Sequence, residues 1–136
     1  MLPKILVDSN IILDIFTNDP VWCSWSLNIL DQYCLKHDLC INSIIYTEIS
    51  ISFNLIEELE AAVNLCNLNV IKIPYEALFL AGKVFVKYKK NKGTKTSPLP
   101  DFFIGAHASV LDVPLITRDV HRIKFYFPKL SIISPK

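Results

Sequence analysis

Short apolar runs along this chain alternate with longer segments in which apolar residues recur at helical spacing. The runs predict strands at residues 4–7, 39–41, 70–73 and 114–117, and a late, short edge strand at 130–133. The longer segments predict six helices. The first is capped by Ser9 or Asn10 and ends at Phe16, and another is capped by Asn42 or Ser43. The others span 21–36, 55–66, 75–90 and a segment that starts near Pro98 and Pro100 and ends near Asp112. This alternation predicts an α/β protein, with a three-layer α/β/α fold around a central, mainly parallel sheet of four to five short strands.

Length and composition predict one globular domain that spans residues 1–136. The chain is long enough for a single core, and 51% of its residues are hydrophobic. No apolar run approaches the roughly 18 residues of a membrane helix, and the N-terminus lacks the pattern of a signal peptide. Four cysteines, none of them in a C-x-x-C pair, predict reduced, mostly buried thiols in a cytoplasmic protein rather than a zinc site.

Charge is divided unevenly between the two halves of the chain. The first 68 residues contain two lysines and nine acids, a net charge of −7, whereas the last 68 contain twelve basic residues and four acids, a net charge of +8. Six lysines lie between Lys83 and Lys95 with no acid among them. This split predicts a polyanion-binding face beside an acidic site. A solvated helix face that runs into a loop explains the lysine run alone equally well.

Four acids occupy matching positions at the ends of predicted elements. Asp8 and Asp119 each follow a predicted strand, so both should lie at the carboxyl edge of a parallel sheet. Asp101 falls in the first turn of a predicted helix, where the helix dipole favours an anion. Glu48 lies one or two turns into its helix and reaches the same edge only if that helix packs beside the first strand. Taken singly, each acid is explained by capping or solvation, whereas the shared placement predicts a common site.

Four carboxylates gathered at one edge would repel one another, and a divalent cation is the usual partner that stabilises such a cluster. Oxygen ligands favour Mg²⁺ or Mn²⁺. Such an ion lowers the pKa of a bound water and screens phosphoryl oxygens, which are the two needs of phosphodiester hydrolysis. We therefore predict Asp8 and Asp101 as the principal metal ligands. Asp119 and Glu48 are expected to bind a second ion or to orient water.

The same residues carry a family resemblance that spans nearly the whole chain. Its motifs are Val7-Asp8-Ser9-Asn10, Tyr46-Thr47-Glu48, residues 99–108, Ile116-Thr117-Arg118-Asp119 and Tyr126-Phe127-Pro128. In this order and spacing they resemble the PIN-domain family, and most closely the VapC-type toxins of toxin–antitoxin pairs. The motifs are individually loose, but their order is specific.

This resemblance implies a PIN-like fold and a catalytic, metal-binding quartet made of Asp8, Glu48, Asp101 and Asp119. Asn10 and Thr117 would be polar supports of that site. The implied activity is that of a Mg²⁺- or Mn²⁺-dependent endoribonuclease, with RNA as substrate. The implied partners are a second copy of the chain in a homodimer and a cognate antitoxin of the VapB type.

Two other functions compete with this interpretation. A phosphatase of the haloacid-dehalogenase type also places an Asp after its first strand, but it needs a second Asp where this chain has Asn10. A PIN-like RNA-binding or scaffold module without catalysis would use the lysine-rich segment alone. Such a module should lack tight Mn²⁺ binding that depends on Asp8.

The remaining polar and aromatic residues receive weaker predictions. His107 is expected to be a satisfied, partly buried histidine, and Arg118 to contact either phosphate or a neighbouring acid. Gly105 allows close packing or substrate approach. Four aromatics are expected in the core or a dimer contact rather than stacked on bases: Trp22, Trp25, Phe102 and Phe103. The acids expected on polar faces or turns, without a role, are Asp14, Asp19, Asp31, Asp38, Asp112, Glu57, Glu58 and Glu60.

Overall fold

The computed structural model of the protein describes residues 1–91 and 99–136. Its strands are β1 (Lys4–Val7), β2 (Asp38–Ile41), β3 (Asn69–Val70), β4 (Leu115–Ile116) and β5 (Ile132–Ile133). Its helices are α1 (Ser9–Phe16), α2 (Cys23–Cys34), α3 (Ser43–Ser50), α4 (Ile56–Leu65), α5 (Tyr75–Lys90), α6 (Leu99–Leu111) and α7 (Val120–Tyr126). The predicted loop beyond residue 91, with Lys92, Lys95 and Pro98, lies outside the described residues.

The sheet confirms the predicted class. Its five strands are all parallel, in the spatial order β3-β2-β1-β4-β5. Strand β1 is central and nearly all of it is buried, and the chain reverses its direction of travel across the sheet between β1 and β4. In such sheets the carboxyl ends of the two strands at the reversal flank a crevice. Asp8 directly follows β1, and Thr117 to Asp119 follow β4, so both segments lie at that crevice.

Strand β3 is shorter than predicted, because its partner strand ends early. The apolar run 70–73 was expected to be a strand, but pairing covers only Asn69 and Val70. The Ile71 N–H still donates to the Ile41 carbonyl at 2.8 Å, and Ile41 is the last residue of β2. Beyond this point the edge strand has no neighbouring strand to extend along. The prediction for 130–133 similarly shrinks to Ile132–Ile133, at the expected sheet edge.

Two local features differ from the expected helix boundaries. Helix α1 is capped by Asp8 itself, because the Asp8 backbone is extended and its carboxylate accepts from the Ser9 N–H; Ser9 is already helical. Helix α7 was not predicted, because it is only seven residues long and fully buries only Ile123. By contrast, the Asn42 carboxamide caps α3 by accepting from the Ile45 N–H, as expected.

Packing against the sheet explains Gly105 and the aromatic residues. A Cβ atom on Gly105 would lie 2.4 Å from the Phe127 ring, so the glycine serves close packing rather than substrate approach. Phe102 is fully buried, and Phe103 and Trp25 pack against the core. Trp22 contacts the Arg118 guanidinium.

The predicted free thiols are confirmed, although only Cys40 is fully buried; Cys23, Cys34 and Cys66 are partly exposed. Within the described ranges, no helix has the length and apolar character needed to cross a membrane.

Candidate functional site

Asp8 is the most buried of the four predicted acids, with 4% of its surface exposed. One carboxylate oxygen, Oδ2, accepts hydrogen bonds from Thr117 Oγ1 at 2.7 Å and from Asn10 Nδ2 at 3.4 Å. The other, Oδ1, accepts from the Ser9 N–H at 2.7 Å. All of these donors are neutral. Asp8 is therefore a buried carboxylate that is hydrogen-bonded but has no cation against it among these partners.

Burial without a cation makes ionisation of Asp8 unfavourable. Desolvation is the largest effect and raises the pKa of the Asp8 carboxyl to about 6. The hydrogen bonds from Thr117 and Ser9 lower this pKa, while the negative charges of Asp101 and Glu48 raise it further. At neutral pH Asp8 is therefore a buried negative charge whose hydrogen-bond partners are all neutral. The nearby Arg118 guanidinium acts on it only through its charge, because its hydrogen bonds go to Asp14.

Glu48 is joined to Asp8 through one hydroxyl group. Ser9 Oγ donates to Glu48 Oε1 at 2.9 Å and lies 3.4 Å from Asp8 Oδ1. Burial raises the pKa of Glu48, the Ser9 hydrogen bond opposes this, and the charge of Asp101 raises it further. The sequence predicted that Glu48 reaches this edge only if its helix packs beside the first strand. Helix α3, which carries Glu48, packs against α1, and α1 directly follows β1, so this condition is met. The structure thus brings Glu48 to the pocket of Asp8.

Asp101 and Asp119 complete the acidic group from the other side of the crevice. Burial raises the pKa of Asp101, a hydrogen bond from Arg122 opposes this, and the negative charge of Asp119 contributes a further increase. The hydrogen bond joins Arg122 Nη1 to Asp101 Oδ2 at 2.8 Å. Asp119 is exposed, and its N–H donates to Thr117 Oγ1 at 3.0 Å. Asp8, Glu48 and Asp101 therefore influence one another electrostatically, and Asp119 acts on Asp101.

Asn10 and Thr117 connect the ends of β1 and β4. Asn10 Nδ2 lies 3.3 Å from Thr117 Oγ1, and Asn10 Oδ1 accepts from the Arg118 N–H at 3.3 Å. Together with their hydrogen bonds to Asp8, these contacts fix the orientation of the buried carboxylate. This placement is compatible with a supporting role, which stays a prediction.

The chemistry of this donor set fits a divalent cation, although the described side chains are not gathered into a closed ligand group. Carboxylate oxygens are the preferred ligands of Mg²⁺ and Mn²⁺, and the buried charge of Asp8 favours a cation beside it. In the part of the chain that the structure describes, however, no three Asp, Glu, His or Cys side chains stand close enough together to hold one ion. Glu48 is bound to Ser9, and Asp101 is bound to Arg122. A metal ion would therefore have to compete with these partners.

Asp14 was expected on a polar face without a role, and this expectation is wrong. Asp14 is 3% exposed, and it accepts from Arg118 Nε and Nη2, both at 2.8 Å, and from Ser26 Oγ at 2.8 Å. A signal was present in the sequence: Asp14 lies three residues after Ile11, on the buried face of α1. The alternative left open for Arg118 is decided in favour of an acid partner.

His107 differs from its expectation in two respects. It is completely buried rather than partly buried, and burial lowers the pKa of its imidazole. Its Nδ1 lies 3.0 Å from Asn42 Nδ2, while its Nε2 has no partner among the described residues. Since the Asn42 amide can only donate, His107 accepts there and is neutral. The contact ties α6, which carries Asp101, to the start of α3, which carries Glu48.

Arg122 and Ser9 are the participants that the sequence did not indicate. Arg122 reaches the site only because α7 forms, and that short helix was not predicted. Ser9 was considered only as a helix cap, although a serine between two acids of a cluster is a natural hydrogen-bond donor to both.

The fold and the pocket define a parallel α/β protein with a carboxylate cluster at the reversal point of its sheet. The family model of the PIN domain matches residues 5–127, and the chain belongs to this family. A comparison with curated protein sequences found no match.

Solved structures share this fold across nearly their whole length. A chain of VapBC2 from Rickettsia felis, crystallised bound to a promoter DNA fragment, is 17% identical, with a TM-score of 0.74 and coverage of 98% of this chain and 99% of that one. A chain of VapBC-1 from nontypeable Haemophilus influenzae is 21% identical, with a TM-score of 0.71 and coverage of 96% and 97%. A chain of a toxin–antitoxin complex from Klebsiella pneumoniae is 22% identical, with a TM-score of 0.70 and 98% coverage of both. At these identities the likeness establishes the shared fold.

Proposed function

We propose that this protein is a metal-dependent endoribonuclease that hydrolyses phosphodiester bonds in RNA, and that it is the toxin of a toxin–antitoxin pair. The observation that carries the proposal is the state of Asp8. A buried carboxylate with a raised pKa, held by neutral donors beside two further acids, favours a cation beside it. The PIN-domain match gives this pocket its expected chemistry.

Asp8 and Asp101 are the proposed principal ligands of Mg²⁺ or Mn²⁺, with Glu48 and Asp119 binding a second ion or orienting water. When bound, the ion supplies a water of lowered pKa and positive charge for the phosphoryl oxygens. Thr117 and Asn10 hold the Asp8 carboxylate in a fixed orientation through their hydrogen bonds. Ser9 holds Glu48 at the same pocket.

The charge distribution supports a polyanionic substrate. Helix α5 ends with Lys87, Lys89 and Lys90, and it packs against α6, whose first turn contains Asp101. These lysines would attract an RNA backbone toward the acidic pocket, in which a metal ion reverses the local charge. This interpretation gives the lysine run a role beyond that of a solvated helix face.

The proposed partners follow from the solved relatives, whose names describe VapBC and toxin–antitoxin complexes. We propose that this chain likewise binds a VapB-like antitoxin, forms a homodimer and acts in the cytoplasm. Co-expression with a candidate antitoxin, followed by measurement of the mass of the purified complex, tests the first two parts together.

The proposed activity is tested with purified protein, labelled single-stranded RNA, and either Mg²⁺ or Mn²⁺. Asp8→Asn should lower the cleavage rate by at least about 100-fold, because it removes the central carboxylate from the proposed metal site. Asp31→Asn is the matched control, since it removes an exposed acid of α2 outside the pocket and should leave the rate unchanged.

Equal cleavage by the wild type and Asp8→Asn would contradict the proposal and would point to a contaminating nuclease. RNA binding with neither cleavage nor Asp8-dependent Mn²⁺ binding would instead favour the non-catalytic PIN-like module.

A further inference from the structure

Arg122 is the residue that most directly opposes metal binding at the pocket. Its Nη1 donates to Asp101 Oδ2 at 2.8 Å, and the two side chains are 32% and 21% exposed. Arg122 lies on α7, three residues after Asp119, so this short helix carries a cation to Asp101. Helix α7 packs against the core through Ile123, the residue next to Arg122.

The other basic groups near α7 have different partners. Arg118 binds Asp14 through Nε and Nη2, and its guanidinium lies 5.0 Å from the centre of the Trp22 ring. Lys124 donates to the Leu130 carbonyl at 3.0 Å. Among these three basic groups, Arg122 is the one that hydrogen-bonds to an acid of the candidate site.

A carboxylate that is paired with a guanidinium is a weaker ligand for a second cation. The metal ion must displace the guanidinium or share the carboxylate with it, and in both cases the positive charges repel. Losing the pair also leaves Arg122 in need of a new partner or of solvent. At Asp8 every hydrogen-bond donor is neutral, so no ion pair has to be broken there.

We propose that Arg122 is the counter-ion of Asp101 and holds this carboxylate until a divalent cation takes its place. Arg122 is thus a positioning residue that sets the free Mg²⁺ or Mn²⁺ concentration at which the site fills. The inference rests on the proposed function, because it presupposes that Asp8 and Asp101 bind the ion. It gives the hydrogen bond between Arg122 and Asp101 a role beside the proposed metal ligands.

The first test measures Mn²⁺ affinity by calorimetry on purified wild type and Arg122→Gln. The substitution removes the competing charge, so Mn²⁺ should bind about tenfold more tightly, which corresponds to the loss of one partly exposed charged hydrogen bond. Arg122→Lys retains the charge and should bind within about threefold of the wild type. Lys124→Gln is the matched control, since it removes a charge from the same helix without touching Asp101, and its affinity should not change.

The second test uses the wild-type protein, so it does not depend on the folding of a variant. The chain contains only two arginines, Arg118 and Arg122, so its guanidinium groups give two sets of side-chain ¹⁵N NMR signals. Titration with diamagnetic Mg²⁺ should move the Arg122 signals with the same midpoint as metal binding. The Arg118 signals, held by Asp14, should stay in place and serve as the internal control.

The outcomes separate this inference from the proposed function. If Mn²⁺ binding depends on Asp8 but Arg122→Gln binds no more tightly, or if Mg²⁺ saturates the site without moving the Arg122 signals, the counter-ion role is wrong while the metal site stands. If Lys124→Gln tightens binding as much as Arg122→Gln, net charge rather than the contact with Asp101 is responsible, and the inference fails. If the wild type and Asp8→Asn bind Mn²⁺ alike, the proposed function fails, and the inference with it.

Discussion

Asp8 and Asp14 lie six residues apart and are almost equally buried, yet their surroundings differ in one decisive respect. Asp14 is held by the Arg118 guanidinium through two hydrogen bonds and by the Ser26 hydroxyl. Asp8 is held by a hydroxyl, an amide and a backbone N–H, all neutral, and other acids lie nearby. Asp14 therefore has a cationic hydrogen-bond partner within the protein, whereas Asp8 has none.

This difference separates a structural role from a proposed functional one. A buried ion pair with its hydrogen bonds satisfied costs little to keep, but it is strongly destabilising to break. A buried carboxylate that is not paired with a cation lowers the stability of the folded state when it is ionised. Binding of a cation from solution should therefore stabilise such a fold. The two residues should therefore respond in opposite directions when each is neutralised by substitution.

The largest effect is expected from Asp14→Ala. The substitution leaves the partly buried Arg118 guanidinium and the buried Ser26 hydroxyl without their partner, so the free energy of unfolding should fall by about 3 kcal/mol. Urea denaturation monitored by circular dichroism measures this change. Asp31→Ala, which removes an exposed acid of α2, should change stability by no more than about 0.5 kcal/mol.

If Asp14→Ala proves too unstable to purify, the double variant Asp14→Leu with Arg118→Met provides the measurement. Replacing both charges by apolar groups should restore much of the stability, because no unpaired charge is left behind. A loss below about 1 kcal/mol in Asp14→Ala would mean that the pair is not a structural element.

The second prediction concerns the pH dependence of the metal-free protein. The folded-state pKa of Asp8 is about 6, above its ordinary value of 3.8, so the folded state binds more protons between these two values. Stability from this group is therefore present below about pH 4 and is lost as the pH rises through 6, by about 3 kcal/mol in total. Asp8→Asn lacks this group, so its stability relative to the wild type should rise by that amount between pH 4 and pH 7.5.

Denaturation in the presence of a chelator, repeated across this pH range, measures the effect. Asp31→Asn should follow the wild type at every pH. A parallel decline in the wild type and Asp8→Asn would mean that Asp8 is not the group that resists ionisation.

Much of the fold could be predicted because the apolar pattern specifies it directly. The buried central strand β1 and helix α5 lie at the expected residues, since an uninterrupted apolar run and a long helical repeat leave few alternatives. Helix α7 escaped prediction because it buries only Ile123, and strand β3 is short because its length depends on where β2 ends. Those features depend on tertiary packing rather than on local sequence.

The candidate site divides in the same way. The sequence places Asp8 and Asp119 at the carboxyl edge, because position after a parallel strand is a topological property. It could not predict that Arg122 would pair with Asp101, since that contact depends on α7. It also could not predict the ion pair of Asp14, because the partner cation comes from Arg118, 104 residues away along the chain.

The smallest effect, and the finest test of the comparison, is expected from Ser26→Ala. Ser26 is fully buried, and its hydroxyl donates to Asp14 Oδ2 at 2.8 Å, but Asp14 keeps both hydrogen bonds from Arg118 after the substitution. Loss of one hydrogen bond to a charged group, offset in part by the higher helix propensity of alanine, should lower the free energy of unfolding by about 1 kcal/mol. Ser24→Ala, at an exposed position of the same helix, should change it by less than about 0.5 kcal/mol.

In an Asp14→Ala background the cost of Ser26→Ala should disappear, because the hydroxyl has already lost its acceptor, and a double-mutant cycle measures this coupling. Mn²⁺ affinity should be the same in Ser26→Ala and the wild type; a change would mean that the Asp14 network belongs to the metal site after all.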